Sequence, residues 1–250
     1  MIKKVVISAA GQGTRMLELS KDKSKHLIEI NHKPFLFYLL DNVFKAGYTE
    51  ILLVAGYKAA LMEEFINTYY PQYSGQFTIK FINQFEVLGP KEKEYGTACP
   101  LKCVRDFVKD EPFISLVGDN FYSVGDLKSM NIDDQYNYVA GLKNEHPEKF
   151  GVLITERMSD GEFLKEIIEK PKQFVGNLVN TSLYKFTKDV FEKLPLIKKS
   201  ERGEYEITDV ISLLAKDKKV KVKIIKDNWM DFGRPEDIEK FSGFIKNGSH

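Results

Sequence analysis

Cysteine is scarce in this chain. There are 2 among 250 residues, Cys99 and Cys103, beside 4 histidines and 1 tryptophan. A structural zinc site takes about four ligands, and no Cys or His cluster completes one around TACPLKCV. The pair stands at helical spacing and reads as two reduced thiols on or near a helix. An excess of one charge is lacking too. The 37 basic and 36 acidic residues are spread along the chain and leave a net +1. Nucleic-acid backbones require a concentrated basic surface, so nucleic acid is excluded as a partner. No run approaches the ~20 apolar residues of a bilayer span, which removes the membrane. The start, MIKKVVISAAG, has neither the apolar stretch nor the cleavage site of a secretory signal, so a cytoplasmic protein is expected. Gly248-Ser249-His250 has the look of a cloning scar and is set aside.

What is present is ordinary globular material, 43% hydrophobic and 29% charged. It suffices for one large domain or two fused lobes. Short apolar runs alternate with amphipathic stretches through the first half. VVISAA near Val5, ILLVAG from Ile51, FTIKFIN from Phe77 and FISLVGDN from Phe113 read as strands. Helices are expected from Pro34 to Ala46, Tyr57 to Tyr70 and Ala98 to Lys109. This alternation predicts an α/β fold, a Rossmann-like and mainly parallel sheet with helices on both faces. Such sheets bind ligands beyond the carboxyl ends of their strands, where GQGTR and Asp119 both fall. After about Tyr138 the texture shifts to strand-like pieces, YVAGLK, GVLIT, FLKEIIEK, LVNTSLYKF and KVKVKII. Helices are expected near Asp189, Ile207 and Pro235. The expectation is a single domain over residues 1–247. A first lobe would run to about 135, and a smaller second lobe would occupy about 136–247.

The segment SAAGQGTRMLELSKDKSK, Ser8 to Lys25, is a strand followed by a turn whose amides can face an anion. Gly11 and Gly13 let backbone approach a phosphate or a base, and Arg15 and Lys25 add two cations. The spacing fits neither GxxxxGK[ST] nor GxGxxG. By pattern alone a phosphate cradle and a tight turn with two solvated cations fit equally.

The same segment resembles the sugar nucleotidyltransferase signature LAAGxGTRLxPLTxxxPK, in register from Ala9 to Lys25. Glu18 and Ser24 stand where that family usually has proline, which relaxes the loop without removing a charge. The resemblance continues in order: YGTACPL at Tyr95, LVGDN at Asp119, KFGVL at Gly151, IIEKPK at Glu169, LVNTSLYKF at Asn180, GEYEITDVI at Gly203 and WMDFGRPEDI at Asp231. It implies an enzyme that joins a nucleoside triphosphate to a sugar 1-phosphate and releases pyrophosphate. UTP or dTTP and glucose 1-phosphate are favoured.

Residue roles follow from the resemblance. Ala10, Gly11, Gly13, Thr14 and Arg15 would hold the nucleotide, with Gly96 and Thr97 against the base and Gln84 pairing with its edge. Lys25 would face the α-phosphate. Asp119 and Asp231 would hold Mg²⁺, a hard cation that keeps waters and binds substrate phosphates. Gly151, Glu169, Lys170 and Asn180 would meet the sugar phosphate. FEVLGPKEKE, which follows Gln84, is longer than usual for the family and would act as a lid. His26 reads as structural and Trp229 as a core anchor. The competing functions are a non-catalytic nucleotide-sugar sensor, which need not keep Arg15, Lys25, Asp119 and Asp231 together, and transfer to phosphocholine or another base. Oligomeric state stays open.

Overall fold

The structure, a computed structural model, describes residues 1–11, 13–71 and 75–246, without the side chains of Thr14, Leu17 and Glu18. The suspected scar at 248–250 lies outside the described residues. The chain divides into two compact units, and neither is a continuous stretch on one side of residue 135. One, here the N-terminal unit, comprises Lys3–Val87, Leu116–Lys128 and Asp227–His250. The other, the central unit, comprises Met1–Ile2, Leu88–Ser115 and Ser129–Lys226.

In the N-terminal unit, Lys4–Ala9 pairs in parallel with Glu50–Ala55, which pairs in parallel with Thr78–Asn83. Val5, Val6, Ile7, Ile51, Leu53 and Val54 are all 0% exposed. Burial at consecutive positions means that both faces of these strands are covered, as in parallel sheets. Helix Phe35–Lys45 turns Phe35, Leu36, Leu39, Leu40 and Val43 inward, the spacing of one helical face. It ends as expected before Gly47, whose φ of +94° favours glycine.

A second core fixes the end of the chain to the first loop. Met16, Ile28, Ile30, Phe35, Phe121, Phe232 and Phe241 form one buried cluster. Phe35 and Phe232 stack with centroids 4.4 Å apart and planes 7° from parallel. Phe241 comes from the C-terminal helix Glu236–Lys246. Each buried ring contributes about 1.5–3 kcal/mol by leaving water. The cluster therefore seats the segment around Asp231 beside the segment that carries Lys25.

The central unit is mostly antiparallel. Its strand order is Leu178–Phe186, Asn137–Lys143, Val220–Ile224, Gly161–Glu169, Gly151–Met158. Val220–Ile224 pairs in parallel with Asn137–Lys143. Helix Ile207–Lys216 buries Val210, Ile211, Leu214 and Ala215. The α/β architecture with helices around a sheet is thus as expected, and the N-terminal unit carries the parallel run of Lys4–Ala9, Glu50–Ala55 and Thr78–Asn83. The helix expected over 98–109 is instead two short helices, Cys99–Lys102 and Arg105–Val108. The Cys103 amide bonds back only three residues, to Pro100, at 3.1 Å. That tightened turn ends the first ladder and lets Val104, 0% exposed, turn inward. No helix among the described residues is long and apolar enough to cross a membrane.

Candidate active site

The first strand ends at Ala9 and the chain turns through Ala10, which is buried, and Gly11. Gly13 has φ +66°. A Cβ there would lie 3.0 Å from Lys25 Cβ and 3.2 Å from its Cγ and Cδ, so this glycine makes room for the Lys25 stem. The Gly13 carbonyl accepts from Met16 N at 2.9 Å and from Ser20 Oγ at 3.0 Å, opening the 3₁₀ turn Thr14–Ser20. Met16 anchors that turn in the aromatic cluster. Arg15 stays exposed, and the side chain of Thr14 lies outside the described residues.

Lys25, Asp119 and Asp231 come together in this unit. The Lys25 ammonium donates to the Asp119 carboxylate in a close ion pair. Asp231 arrives on the strand Trp229–Asp231, which pairs antiparallel with Asn120–Tyr122 and sets Asp231 opposite Asn120. Phe232 N donates to the Asp119 carbonyl at 2.8 Å, locking the two segments. Burial acts to raise the Asp119 carboxyl, but the Lys25 and His26 neighbours and its hydrogen bonds hold it below the usual range. The Asp231 carboxyl is pushed up to about 6 by desolvation and then by the Asp119 charge, while Lys25 and Arg15 oppose the shift. Asp231 is an exposed residue in its short strand, and solvent tempers that effect. Two like charges this close call for a cation. No three His, Cys, Asp or Glu side chains converge as a complete metal site among the described residues. A hard divalent ion fits Asp119 and Asp231 when substrate oxygens fill the remaining positions.

His26 is 1% exposed and its imidazole is pushed down to about 3, by burial first and by the Lys25 charge second. At ordinary pH this imidazole is neutral. Gln84 opens the short helix Gln84–Leu88 and is 1% exposed, with no partner for Oε1 among the described residues. At that burial no base edge reaches the amide unless the residues covering it move. Trp229 is half-buried in its short strand.

In the central unit Gly96 has φ +132°, and a Cβ on it would fall 2.3 Å from the Tyr205 carbonyl oxygen. The Tyr95–Ala98 backbone is laced to Tyr205, which donates to the Tyr95 carbonyl at 2.8 Å and accepts from Ala98 N at 2.9 Å. The Thr97 hydroxyl sits 3.1 Å from Glu206 Oε2 and accepts from Ile207 N at 2.9 Å. It therefore caps helix Ile207–Lys216, a task that the base-contact reading of Thr97 did not foresee. Nor is the stretch after Gln84 free throughout its length, since Glu94 pairs with Lys102 at 2.5 Å.

Gly151 lies opposite Glu169 in the ladder between Gly151–Met158 and Gly161–Glu169. A Cβ at Gly151 would meet Glu169 Oε2 at 2.9 Å and would lie 3.8 Å from Asn180 Cβ. Three of the four expected sugar-side residues are thus adjacent, and Lys170, at φ +44°, follows Glu169 with its ammonium 3.9 Å from that carboxylate. Asn180 donates to Tyr184 Oη at 2.9 Å and accepts from Ser182 N at 3.0 Å. Tyr184 escaped the reading of the sequence. Its place depends on the irregularity between Asn180 and Tyr184, where Ser182 has φ +58°, and no local pattern marks it.

Residues 4–248 match the family described as nucleotidyl transferase. The UTP–glucose-1-phosphate uridylyltransferase AglF of Haloferax volcanii is 32% identical over 241 residues, covering 94% of this chain and 93% of that one. The bifunctional protein GlmU of Methanocaldococcus jannaschii is 34% identical over 241 residues, covering 96% of this chain and 53% of its own length. The chain therefore spans about half of that two-activity relative. A crystal structure of apo UDP-glucose pyrophosphorylase superposes with a TM-score of 0.85 over 99% of both chains at 25% identity. With the ordered motifs and the Lys25–Asp119–Asp231 cluster, these matches show that the chain belongs to the nucleotidyl transferase family.

Proposed function

We propose that this nucleotidyl transferase is Mg²⁺-dependent and makes a nucleotide sugar from UTP or dTTP and a hexose 1-phosphate, with glucose 1-phosphate preferred. The observation that carries the reading is the cluster of Lys25, Asp119 and Asp231, cationic and anionic groups set together beside the glycine turn. In the reaction a sugar phosphate oxygen attacks the α-phosphorus of the nucleotide and pyrophosphate leaves in line. Positioning and charge neutralisation dominate such a transfer. Asp119 and Asp231 would hold Mg²⁺, which supplies neutralisation of the triphosphate. Lys25 would turn from Asp119 to the α-phosphate, and Arg15, exposed at the turn, would take the outer phosphates with its planar fork. The Gly11–Gly13 turn supplies close backbone approach beneath them.

In the central unit, Glu169 accepts from sugar hydroxyls, Asn180 contributes an amide already oriented by Tyr184, and Lys170 faces the sugar phosphate. Preference for uracil or thymine rests on Gln84, whose buried orphan oxygen suits the N3–H of either base once exposed. The uridylyltransferase relative favours uracil.

The test is pyrophosphate release over a grid of nucleoside triphosphates and sugar 1-phosphates, with Mg²⁺ and with excess chelator. Release with UTP or dTTP and glucose 1-phosphate that stops in chelator is expected. Full turnover in chelator contradicts the metal reading, and no release with any pair contradicts the enzyme.

A further inference from the structure

We propose that Ser24 and His26 form a positioning pair for Lys25, clamping the backbone on both sides of it so that its ammonium is held within reach of Asp119 and of the phosphate that would replace that partner. The inference rests on the reading of Lys25 given above. Ser24 is 0% exposed and His26 1%, and Ser24 Oγ lies 2.7 Å from His26 Nδ1. This hydrogen bond joins the two immediate neighbours of Lys25. The same three residues are drawn into a 3₁₀ turn, where Leu27 N donates to the Ser24 carbonyl at 2.9 Å and Ile28 N to the Lys25 carbonyl at 3.2 Å.

The other edge of the imidazole faces the opposite side of the ion pair. A Cβ at Gly118 would lie 3.1 Å from His26 Cδ2 and 3.4 Å from Nε2, so the ring rests on the residue that precedes Asp119. Gly118 N donates to the Ser8 carbonyl at 2.8 Å, which ties this point to the end of the first strand. His26 therefore bridges the Lys25 turn and the Asp119 turn, while Ser24 fixes the ring's orientation. Pulling the Lys25 turn away would strand a buried hydroxyl and a buried imidazole without each other, an unfavourable exchange.

Ser24 has φ −64° and ψ 143°, the backbone geometry that a proline imposes. A proline at this position restrains the loop covalently, whereas Ser24 restrains it through its side chain. The two devices are alternatives for one backbone shape, and this equivalence makes the role testable.

The experiment measures kcat and nucleotide Kd for Ser24→Ala, Ser24→Pro, Ser24→Thr and His26→Phe, and repeats Ser24→Ala in a Lys25→Ala background. Ser24→Ala and His26→Phe are each expected to lower kcat by about tenfold, the scale of one buried hydrogen bond, with Kd changed by less than about twofold. A Ser24→Ala/His26→Phe double variant should be no worse than the worse single one, because one interaction is lost in all three. Ser24→Pro should recover to within about threefold of wild type, since its ring restores the restraint. In the Lys25→Ala background Ser24→Ala should have no further effect. An inactive Lys25→Ala alongside a Ser24→Ala within about twofold of wild type overturns the positioning role alone. So does an equal loss in both backgrounds, which marks a merely structural serine. If Lys25→Ala turns over normally, both this inference and the reading of Lys25 fall. Should Ser24→Ala not fold, Ser24→Thr and Ser24→Pro decide, and a proline variant below about a tenth of wild type overturns the proposal.

Discussion

The Lys25 ammonium and the Asp119 carboxylate are each other's counter-charge. Both are also the groups that a triphosphate and its cation would need. The pair holds an ammonium and a carboxylate close before substrate arrives, and on the proposed reading substrate with metal would replace one set of charge contacts by another. That exchange costs little reorganisation, which is what preorganised electrostatic catalysis requires.

Asp231, set opposite Asn120, is a carboxyl raised by desolvation as well as by the charge of Asp119. Its folded-state pKa of about 6 lies above the ordinary 3.8, so its charged form opposes folding, increasingly as pH rises from about 4 through 6. Asp231→Asn is expected to raise the melting temperature of the metal-free protein at pH 7.5 and to lower turnover by about a hundredfold. Calorimetry and pyrophosphate release check both halves. A lower melting temperature would show that Asp231 is instead a stabilising partner.

In the central unit, Glu169 packs against Gly151 and near Asn180. Glu169→Ala is expected to raise KM for the sugar phosphate by about tenfold or more and to leave nucleotide Kd within about twofold. Isothermal titration with nucleotide and steady-state kinetics separate the two. An equal loss in both would place Glu169 at the nucleotide.

Much of this was legible from residue order, and the failures share one cause. The buried runs at Val5–Ile7 and Ile51–Val54 show as strands because burial on both faces leaves an unbroken apolar stretch. Helix Phe35–Lys45 shows through its spacing. The glycine turn, Lys25, Asp119 and the Gly151–Glu169–Asn180 group were each visible as motifs. What stayed hidden depends on partners distant in sequence. Asp231 itself showed as a motif, but the three-residue pairing of Trp229–Asp231 with Asn120–Tyr122 that sets it opposite Asn120 is too short to carry a periodic signal. The Thr97 hydroxyl is taken up by Glu206 and Ile207, more than a hundred residues on. The break between Cys99–Lys102 and Arg105–Val108 follows from Val104 turning inward, which local propensity does not encode.

The buried imidazole of His26 predicts an acid-side loss of stability. Its folded-state pKa of about 3 lies below the ordinary 6.5, so between those values the unfolded chain binds a proton that the folded chain does not. Stability is then full above about pH 6.5 and falls as pH drops toward about 3, by on the order of 5 kcal/mol at most. His26→Phe should flatten that part of the profile relative to wild type. Melting temperatures between pH 7.5 and 4.5 for the two proteins provide the check, and parallel profiles would show that His26 is protonated in the fold.

On the proposed reading, the charge of Lys25 is used in the transition state more than in binding. The most direct measurement is single-turnover pyrophosphate release by Lys25→Ala and Lys25→Arg, with Lys21→Ala as an exposed control and nucleotide Kd determined for each. Lys25→Ala is expected to lose on the order of 10²–10³ in rate, while its Kd weakens far less. Lys25→Arg should keep partial activity, because the charge remains but its shape and reach change. Lys21→Ala should match wild type. Turnover by Lys25→Ala within about threefold of wild type would contradict the claim at its central residue.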